Sequence, residues 1–266
     1  AILAVQNAGL WMDLPWWTPW LMWLLFAACL VIGRNTRSAR ATGLLAVGLW
    51  GGAAAAMGWI AVAALLSHLP PAGPVAEIAS PLPDGRYLVV NGGSRSLTNS
   101  HLETLNPRTP RQASHRGQSH GIDLVGLTAF GRTSTGWRER EPSRYAIFGT
   151  PVLAPCAGTV VRALDGRTDM AVPIPDSVVM AGNHVLLRCG KVEVLLAHLR
   201  KGSLSVSAGE RVRLGQKVGE AGNSGNSDTP HLHVHAQLPG SRDAPLSGEP
   251  VPLRINGRYL VRGDRL

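Results

Sequence analysis

Charged residues are almost absent from the first 69 positions, which hold only Asp13, Arg34, Arg37 and Arg40. This shortage disfavours a soluble helix pair, because such helices normally carry a polar face. Residues 14–33 form an uncharged stretch of the roughly 20 residues that a helix needs to cross a bilayer core, and residues 41–69 form a second apolar stretch. The sequence therefore predicts a transmembrane helical hairpin over residues 1–69, in contact with lipid through both helices.

No basic region precedes the first stretch, which disfavours a cleaved signal peptide. The three arginines between the stretches predict a connector on the cytoplasmic side, because positive residues in short loops are retained there. The chain after the hairpin is then expected outside the cytoplasm. Glycine and alanine between residues 48 and 56 favour packing within the hairpin, and they would also permit a homodimer or a contact with another envelope protein.

Several catalytic and binding motifs are also missing. No His-Glu-x-x-His is present, which excludes a helical zinc-protease site of that type. The turn Gly222-Asn-Ser-Gly225 is not a nucleophile elbow, so Ser224 is interpreted as a turn residue. The net charge is +9, but no nucleic-acid-binding motif accompanies it, and no nucleic-acid partner is expected.

The chain after residue 69 is rich in short apolar runs. Residues 70–85 are proline-rich and predict an extended linker. Beyond them, runs rich in valine and leucine are separated by glycine turns, a pattern typical of strands. The runs cover residues 87–90, 159–163, 184–189, 192–199, 211–214 and 231–237. We expect an all-β domain over residues 86–266, built as a compact antiparallel sheet or barrel.

Histidines carry the functional signal. His231, His233 and His235 alternate along a predicted strand, so the three imidazoles share one face. Such a row is typical of a metal or catalytic site, whereas a solvated face would be served equally by Ser, Thr or Lys. His198 ends one apolar run and Asp123 precedes another, and either residue alone would be interpreted as structural.

Three segments together resemble the LytM/lysostaphin family of zinc peptidases, in which a glycine-rich turn leads into a His-x-His strand. They are residues 149–160, Ala197-His-Leu199 with the following residues 209–216, and residues 215–233, which end in His-Leu-His. The resemblance runs from about residue 91 to residue 237. It implies one Zn²⁺ bound by Asp123 and His233, with His198 and His231 as the catalytic pair beside the metal.

A third zinc ligand is required, and here the chain departs from the commonest form of the family. That form has a histidine four positions before the aspartate, where this chain has Ser119. His101 belongs to an Asn-x-His element that resembles one in family variants, and it is the preferred third ligand. His120 would need a β-bulge to reach the same face. His115, or no metal at all, stays open as an alternative.

The resemblance implies a zinc endopeptidase that hydrolyses peptide bonds in the stem or cross-link peptides of peptidoglycan. It would be anchored in the bacterial inner membrane, with its catalytic domain in the periplasm. The rival interpretation is an inactive domain that binds peptidoglycan and regulates another wall hydrolase. The missing histidine at position 119 favours the rival, whereas the four retained site residues favour the enzyme.

Cys156 and Cys189 are the only cysteines of the predicted β-domain. An oxidising compartment would allow them to form a disulfide, and two buried free thiols are the alternative.

Overall fold

The computed structural model describes residues 17, 21, 24, 25, 27, 28, 44–241 and 244–266. Within these residues, helix α1 spans Leu44–Leu66 and helix α2 spans Pro110–Ser114, and 3₁₀ helices cover Ser100–Thr104, Arg116–His120 and Pro142–Arg144. The strands are β1 (Ala76–Ile78), β2 (Tyr87–Asn91), β3 (Ile122–Gly126), β4 (Pro151–Leu153), β5 (Gly158–Leu164), β6 (Asn183–Cys189), β7 (Val192–Leu199), β8 (Arg211–Val212), β9 (Lys217–Glu220), β10 (Leu232–Gln237), β11 (Pro250–Val251) and β12 (Leu253–Ile255).

The predicted transmembrane hairpin is wrong. Across the described part of the chain, no helix combines the length and the apolar character that a bilayer crossing requires. Most of the first predicted span, residues 14–33, and the arginine connector lie outside the described residues. The prediction rested on composition, which does not by itself determine where a helix begins and ends. The lipid contacts and the helix-mediated dimer were inferred from the hairpin and have no support without it.

The end of helix α1 contacts the β-domain. Ser67 is fully buried, and its hydroxyl accepts a hydrogen bond from Thr98 at 3.1 Å. The backbone N–H of Ser94 donates to the Ser67 carbonyl, also at 3.1 Å. Residue 67 is therefore joined directly to the polar segment that follows β2, before the proline-rich residues 70–85 begin.

A single large antiparallel sheet forms the centre of the described β-domain. Its strand order is β2-β3-β10-β7-β6-β5-β8, with β11 paired to β10. A parallel pair, β1 with β12, and an antiparallel pair, β4 with β9, complete the strands. Each of the six apolar runs singled out in the sequence falls on one of the strands β2, β5, β6, β7, β8 and β10. The β character of this region was therefore predicted correctly.

The two faces of the large sheet differ in chemistry. On β10, Leu232, Val234 and Ala236 point into the main hydrophobic core. Leu195 and Ala197 of β7 belong to a separate, smaller cluster, and they line the same cleft as the imidazoles of β10. Because side chains alternate along a strand, the polar site lies on the face opposite the main core.

The predicted disulfide is confirmed. Cys156 and Cys189 are bonded, with their Cα atoms 5.9 Å apart. The bond joins the segment before β5 to the end of β6, two strands that are neighbours in the large sheet. The alternative of two free thiols is thereby excluded.

Candidate metal centre

Three neighbouring strands bring the central residues of the site together. Asp123 of β3 lies opposite His233 of β10 on one side and opposite Asn91 of β2 on the other. Register therefore places a carboxylate and an imidazole side by side, although 110 positions separate them in the chain. Both side chains are buried, with exposed fractions of 6% for Asp123 and 3% for His233.

The distances within this group suit a small cation. His233 Nδ1 lies 2.8 Å from Asp123 Oδ1, and His101 Nε2 lies 3.4 Å from Asp123 Oδ2. The candidate ligand atoms of the three residues all lie within 4.8 Å of one another. A tetrahedral Zn²⁺ with bonds of about 2.0–2.1 Å separates its ligand atoms by roughly 3.3 Å. The three residues therefore fit Zn²⁺ with only small adjustments of their side chains.

His101 is aimed at Asp123 by Asn99. The side-chain oxygen of Asn99 accepts the backbone N–H of His101 at 3.1 Å and lies 3.0 Å from its Nδ1. Since an amide oxygen only accepts, Nδ1 carries the ring proton and Nε2 keeps the lone pair that faces Asp123. The Asn99 amide in turn donates to the carbonyls of Gly93 and Gly121. This is the physical reason for the Asn-x-His spacing.

The other two histidines considered as third ligands are not part of the group. Within the described ranges, His101, Asp123 and His233 form the only metal-compatible group of three or more such side chains. His120 is buried, and its Nδ1 has no hydrogen-bond partner among the described residues. The ring of His115 contacts Ser114 and the Arg111 carbonyl. The assignment of His101 as the ligand remains a prediction, and the geometry agrees with it.

Ser119, which stands where the commonest family form has a histidine, supports the His101 segment. Its hydroxyl lies 2.9 Å from the Thr104 hydroxyl, and both are buried. Thr104 donates at 2.8 Å to the His101 carbonyl. Ser119 therefore helps to hold the 3₁₀ helix Ser100–Thr104, which carries His101, against the 3₁₀ helix Arg116–His120.

His198 reaches the site through a bulge in β7. Between β6 and β7 the register shifts, so that Asn183 pairs with Leu199 but Val185 pairs with Leu196. His198 has a φ of 61°, a left-handed conformation that costs most non-glycine residues about 1–2 kcal/mol. Regular alternation would have directed His198 toward the core with Leu196. The bulge turns it to the site face instead.

His198 and His231 present the same ring nitrogen to the cleft. His198 Nδ1 lies 2.8 Å from the Ser224 carbonyl, and His231 Nδ1 lies 2.7 Å from the Thr229 carbonyl. Carbonyls only accept, so each Nδ1 carries a proton, and in the neutral form of each ring Nε2 is the proton acceptor. The two ring centroids are 4.6 Å apart, and His231 Nε2 is 3.6 Å from Asp123 Oδ1.

Burial and neighbouring charge set the protonation of the group. Burial raises the pKa of Asp123, but His101, His231 and His233 outweigh it and hold that pKa well below its usual value. Burial lowers the pKa of His101 to about 4, against the opposing influence of Asp123. At neutral pH the group thus combines an ionised carboxylate with a neutral His101 imidazole, and the lone pair on that ring is available to a divalent cation.

The pKa of His198 is also lowered well below its usual value, first by burial and then by His231 and His233. Its ring is therefore neutral at neutral pH and is able to accept a proton.

Part of the chain around these residues is similar to known proteins. The sequence profile of peptidase family M23 matches residues 144–245. We call this matched segment the M23 region. The M23 region contains His198, His231 and His233, whereas His101 and Asp123 precede it. The β2–β3–β10 register is what joins the two parts into one site.

Relatives share part of this chain. An uncharacterized metalloprotease of Haemophilus influenzae is 36% identical over 100 residues, which cover 37% of this chain and 18% of the relative. This chain thus spans less than a fifth of that relative's length. The peptidase lysostaphin of Staphylococcus simulans is 23% identical over 47% of this chain and 39% of its own, with a TM-score of 0.31. The catalytic domain of a prophage-encoded M23 protein of Enterococcus faecalis is 19% identical over 62% of this chain and 88% of its own, with a TM-score of 0.35.

The histidines of the M23 region and His101 meet at a cleft of about 300 Å³. Its walls beyond the candidate ligands include Glu103, His115, Met180, Asn226 and Asp228. The polar segment between β2 and β3 supplies one side of this cleft, and the loops around the M23 region supply the other. An extended peptide could therefore approach the candidate ligands between two polar walls.

Sequence reasoning missed two asparagines that support the site. Asn91 donates to Asp123 Oδ2 at 3.0 Å, and Asn99 orients His101 as described above. The signal for Asn99 was present, because the Asn-x-His element contains it. Asn91 had no sequence signal, since its role arises only from pairing between β2 and β3.

Proposed function

We propose that this protein is a zinc-dependent endopeptidase that hydrolyses peptide bonds in the stem or cross-link peptides of peptidoglycan. One observation carries the proposal: a carboxylate and two imidazoles converge at ligand distances, and two further imidazoles lie beside them with each Nδ1 against a backbone carbonyl. The match of residues 144–245 to peptidase family M23 supports the reaction class.

His101 Nε2, an oxygen of Asp123 and His233 Nδ1 would hold the Zn²⁺. When bound, Zn²⁺ supplies Lewis-acid activation of the scissile carbonyl and of the attacking water. Asn99 and Asn91 keep His101 and Asp123 oriented by their hydrogen bonds. Asp123 and His101 need no change of protonation to accept a cation, because the carboxylate is already ionised and the His101 ring is already neutral.

His198 and His231 supply the proton transfer. One of them accepts the proton of the attacking water at Nε2, and the resulting imidazolium is stabilised by the carbonyl that its Nδ1–H contacts. The same Nε2 then delivers that proton to the nitrogen of the leaving amine as the peptide bond breaks. The lowered pKa of His198 favours rapid return of the proton, since the charged ring is disfavoured in its buried position.

A domain that only binds the wall would have little use for this arrangement. Burying an ionised carboxylate among imidazoles costs free energy unless the charge is compensated. The left-handed backbone at His198 adds a further cost. A catalytic metal site explains both costs, and a purely regulatory domain explains neither.

We also propose that the domain works outside the cytoplasm. The disulfide between Cys156 and Cys189 supports this, because such bonds persist in oxidising compartments and are rare in the cytosol.

The test combines metal analysis with digestion of purified peptidoglycan by the whole chain and mass spectrometry of the fragments. The wild type should bind about one Zn²⁺ and release new peptide termini. His231→Ala should keep the metal and lose cleavage, whereas His233→Ala should lose both. A zinc-loaded wild type that binds the wall but leaves it intact would favour the regulatory rival.

A further inference from the structure

His235 is a buried imidazole in direct contact with a candidate metal ligand. It is only 1% exposed, and its Nδ1 lies 2.9 Å from Nε2 of His233. The two rings meet edge to face, with centroids 5.2 Å apart. The mechanism proposed above makes no use of His235, although it shares the site face of β10 with His233.

The protons in this pair can be assigned if His233 binds a cation. His233 would use the lone pair of Nδ1, the atom that faces Asp123, so its proton must reside on Nε2. That proton points at His235 Nδ1, which must therefore be unprotonated and accept it. Without a cation, His233 Nδ1 donates to the ionised Asp123 at 2.8 Å. Zinc binding would displace this proton, and His235 Nδ1 is the acceptor that stabilises the Nε2–H tautomer that a metal requires.

The next residue on the same face favours this assignment. His235 then carries its own proton on Nε2, a buried atom without a hydrogen-bond partner among the described residues. Gln237 follows two positions later, and its amide nitrogen donates to the Pro245 carbonyl at 2.6 Å. Its buried Oε1 also has no partner among the described residues. The side chain of Gln237 nevertheless interacts with the His235 ring. A donor at His235 Nε2 and an acceptor at Gln237 Oε1 on one strand face agree with this placement of the protons.

We propose that His235 is a positioning residue that orients the His233 ring and accepts its Nε2 proton when Nδ1 binds Zn²⁺. The proposal rests on the proposed function, since it assumes that His233 is a zinc ligand. Hydrogen-bond partners of this kind typically change metal affinity by 10- to 100-fold when they are removed. A residue that only filled space would have no such effect once its volume was restored.

Three variants of the whole chain separate these roles. His235→Leu removes the acceptor at similar volume, and His235→Gln restores an acceptor in its side-chain amide. His184→Leu is the matched control: His184 is also a buried imidazole on a sheet strand, but its Nδ1 contacts the Gly182 carbonyl. Zinc affinity is measured by competition with a chromophoric chelator, and thermal unfolding of the metal-free proteins is measured alongside.

We expect His235→Leu to weaken zinc binding by about 10- to 100-fold, and His235→Gln and His184→Leu to stay within a few-fold of the wild type. Equal affinity of the wild type and His235→Leu would overturn the positioning role while leaving the proposed function intact. If His235→Leu, His235→Gln and His184→Leu all lost zinc affinity equally, the effect would be one of packing and the positioning role of His235 would be refuted. A wild type that binds no zinc would overturn both.

A measurement on the wild type covers the case in which His235→Leu does not fold. Nitrogen-15 NMR of the histidine rings in the zinc-loaded protein should show His233 protonated at Nε2 and His235 unprotonated at Nδ1. A proton on His235 Nδ1 would refute the proposal without any substitution.

Discussion

Replacement of His101 by alanine is the sharpest test of the metal centre, because it removes one of the three proposed ligands without disturbing a strand. His101 lies in a short 3₁₀ helix, and its side chain is 15% exposed. The ring contacts Asn99, Asp123 and the His233 ring. Its hydrogen bond to Asn99 is worth about 1 kcal/mol net, so the fold should lose little. The backbone N–H at position 101 still has the Asn99 oxygen as its acceptor.

The expected loss of zinc affinity is much larger. Apparent binding free energies for structural Zn²⁺ sites with four protein ligands are about 10–16 kcal/mol. One ligand of four then corresponds to roughly 2.5–4 kcal/mol, which is a loss on the order of 10²–10³-fold in affinity. The geometry supports a full one-ligand contribution of His101 to the zinc-binding free energy, because its Nε2 lies 3.4 Å from Asp123 Oδ2. That distance is close to the spacing of ligand atoms in a tetrahedral zinc site.

The assay is metal content after dialysis together with chelator competition, and His120→Ala is the control. His120 is also buried and lies in the next 3₁₀ helix, but it is outside the metal-compatible group. We expect His120→Ala to bind zinc as the wild type does. The reasoning would be refuted if His101→Ala retained wild-type affinity, or if His120→Ala were the variant that lost the metal.

Three further predictions concern stability. Burial lowers the pKa of His184 from 6.5 to about 4, so as the pH falls the unfolded chain binds a proton at this residue before the folded protein does. The contribution of His184 to the free energy of unfolding is therefore complete above about pH 6.5 and falls by about 3 kcal/mol toward pH 4. Urea titrations at both pH values should show that this loss is smaller by that amount in His184→Leu, and an unchanged loss would contradict the assignment. Replacing Cys156 and Cys189 by serine should lower the free energy of unfolding by about 3–4 kcal/mol in denaturant titrations, since the bond closes a loop with a sequence separation of 33; equal stability would argue against a disulfide in solution. His198→Asn should stay within about 1 kcal/mol of wild-type stability, because asparagine tolerates the left-handed φ of 61°. His198→Val should be less stable than His198→Asn by about 1–2 kcal/mol, and both variants should lose peptidase activity. Equal stability of the two variants would show that the bulge does not hold position 198 in that conformation.

The sequence by itself determined the strands and the chemistry they carry. Short apolar runs rich in valine and leucine predicted β7 and β10 closely, because the burial of a strand imposes such a local composition. The alternation of side chains along a strand placed His233 and His235 on one side of β10, with His231 directly before the strand. The two cysteines of the β-domain were expected to pair, and they do. These features depend on residues that are near one another in the chain or few in number.

Composition misled at the N-terminus. The scarcity of charge predicted a membrane hairpin, and the described part of the chain contains no helix with the required length and apolar character. Hydropathy reports the cost of exposing a segment to water, but the bounds of a helix depend on what the segment packs against. Ser67, which lay inside the predicted second span, is buried against Thr98 of the β-domain.

Only the tertiary structure decided which side chains meet. The register between β3 and β10 sets Asp123 beside His233. A shift of one residue in β3 would have placed the Asp123 side chain on the opposite face of the sheet. A bulge in β7 turns His198 to the site, and Asn99 aims His101 from a 3₁₀ helix. These placements follow from pairing and hydrogen bonds between segments far apart in the chain, and the local periodicity of a sequence carries no information about such contacts.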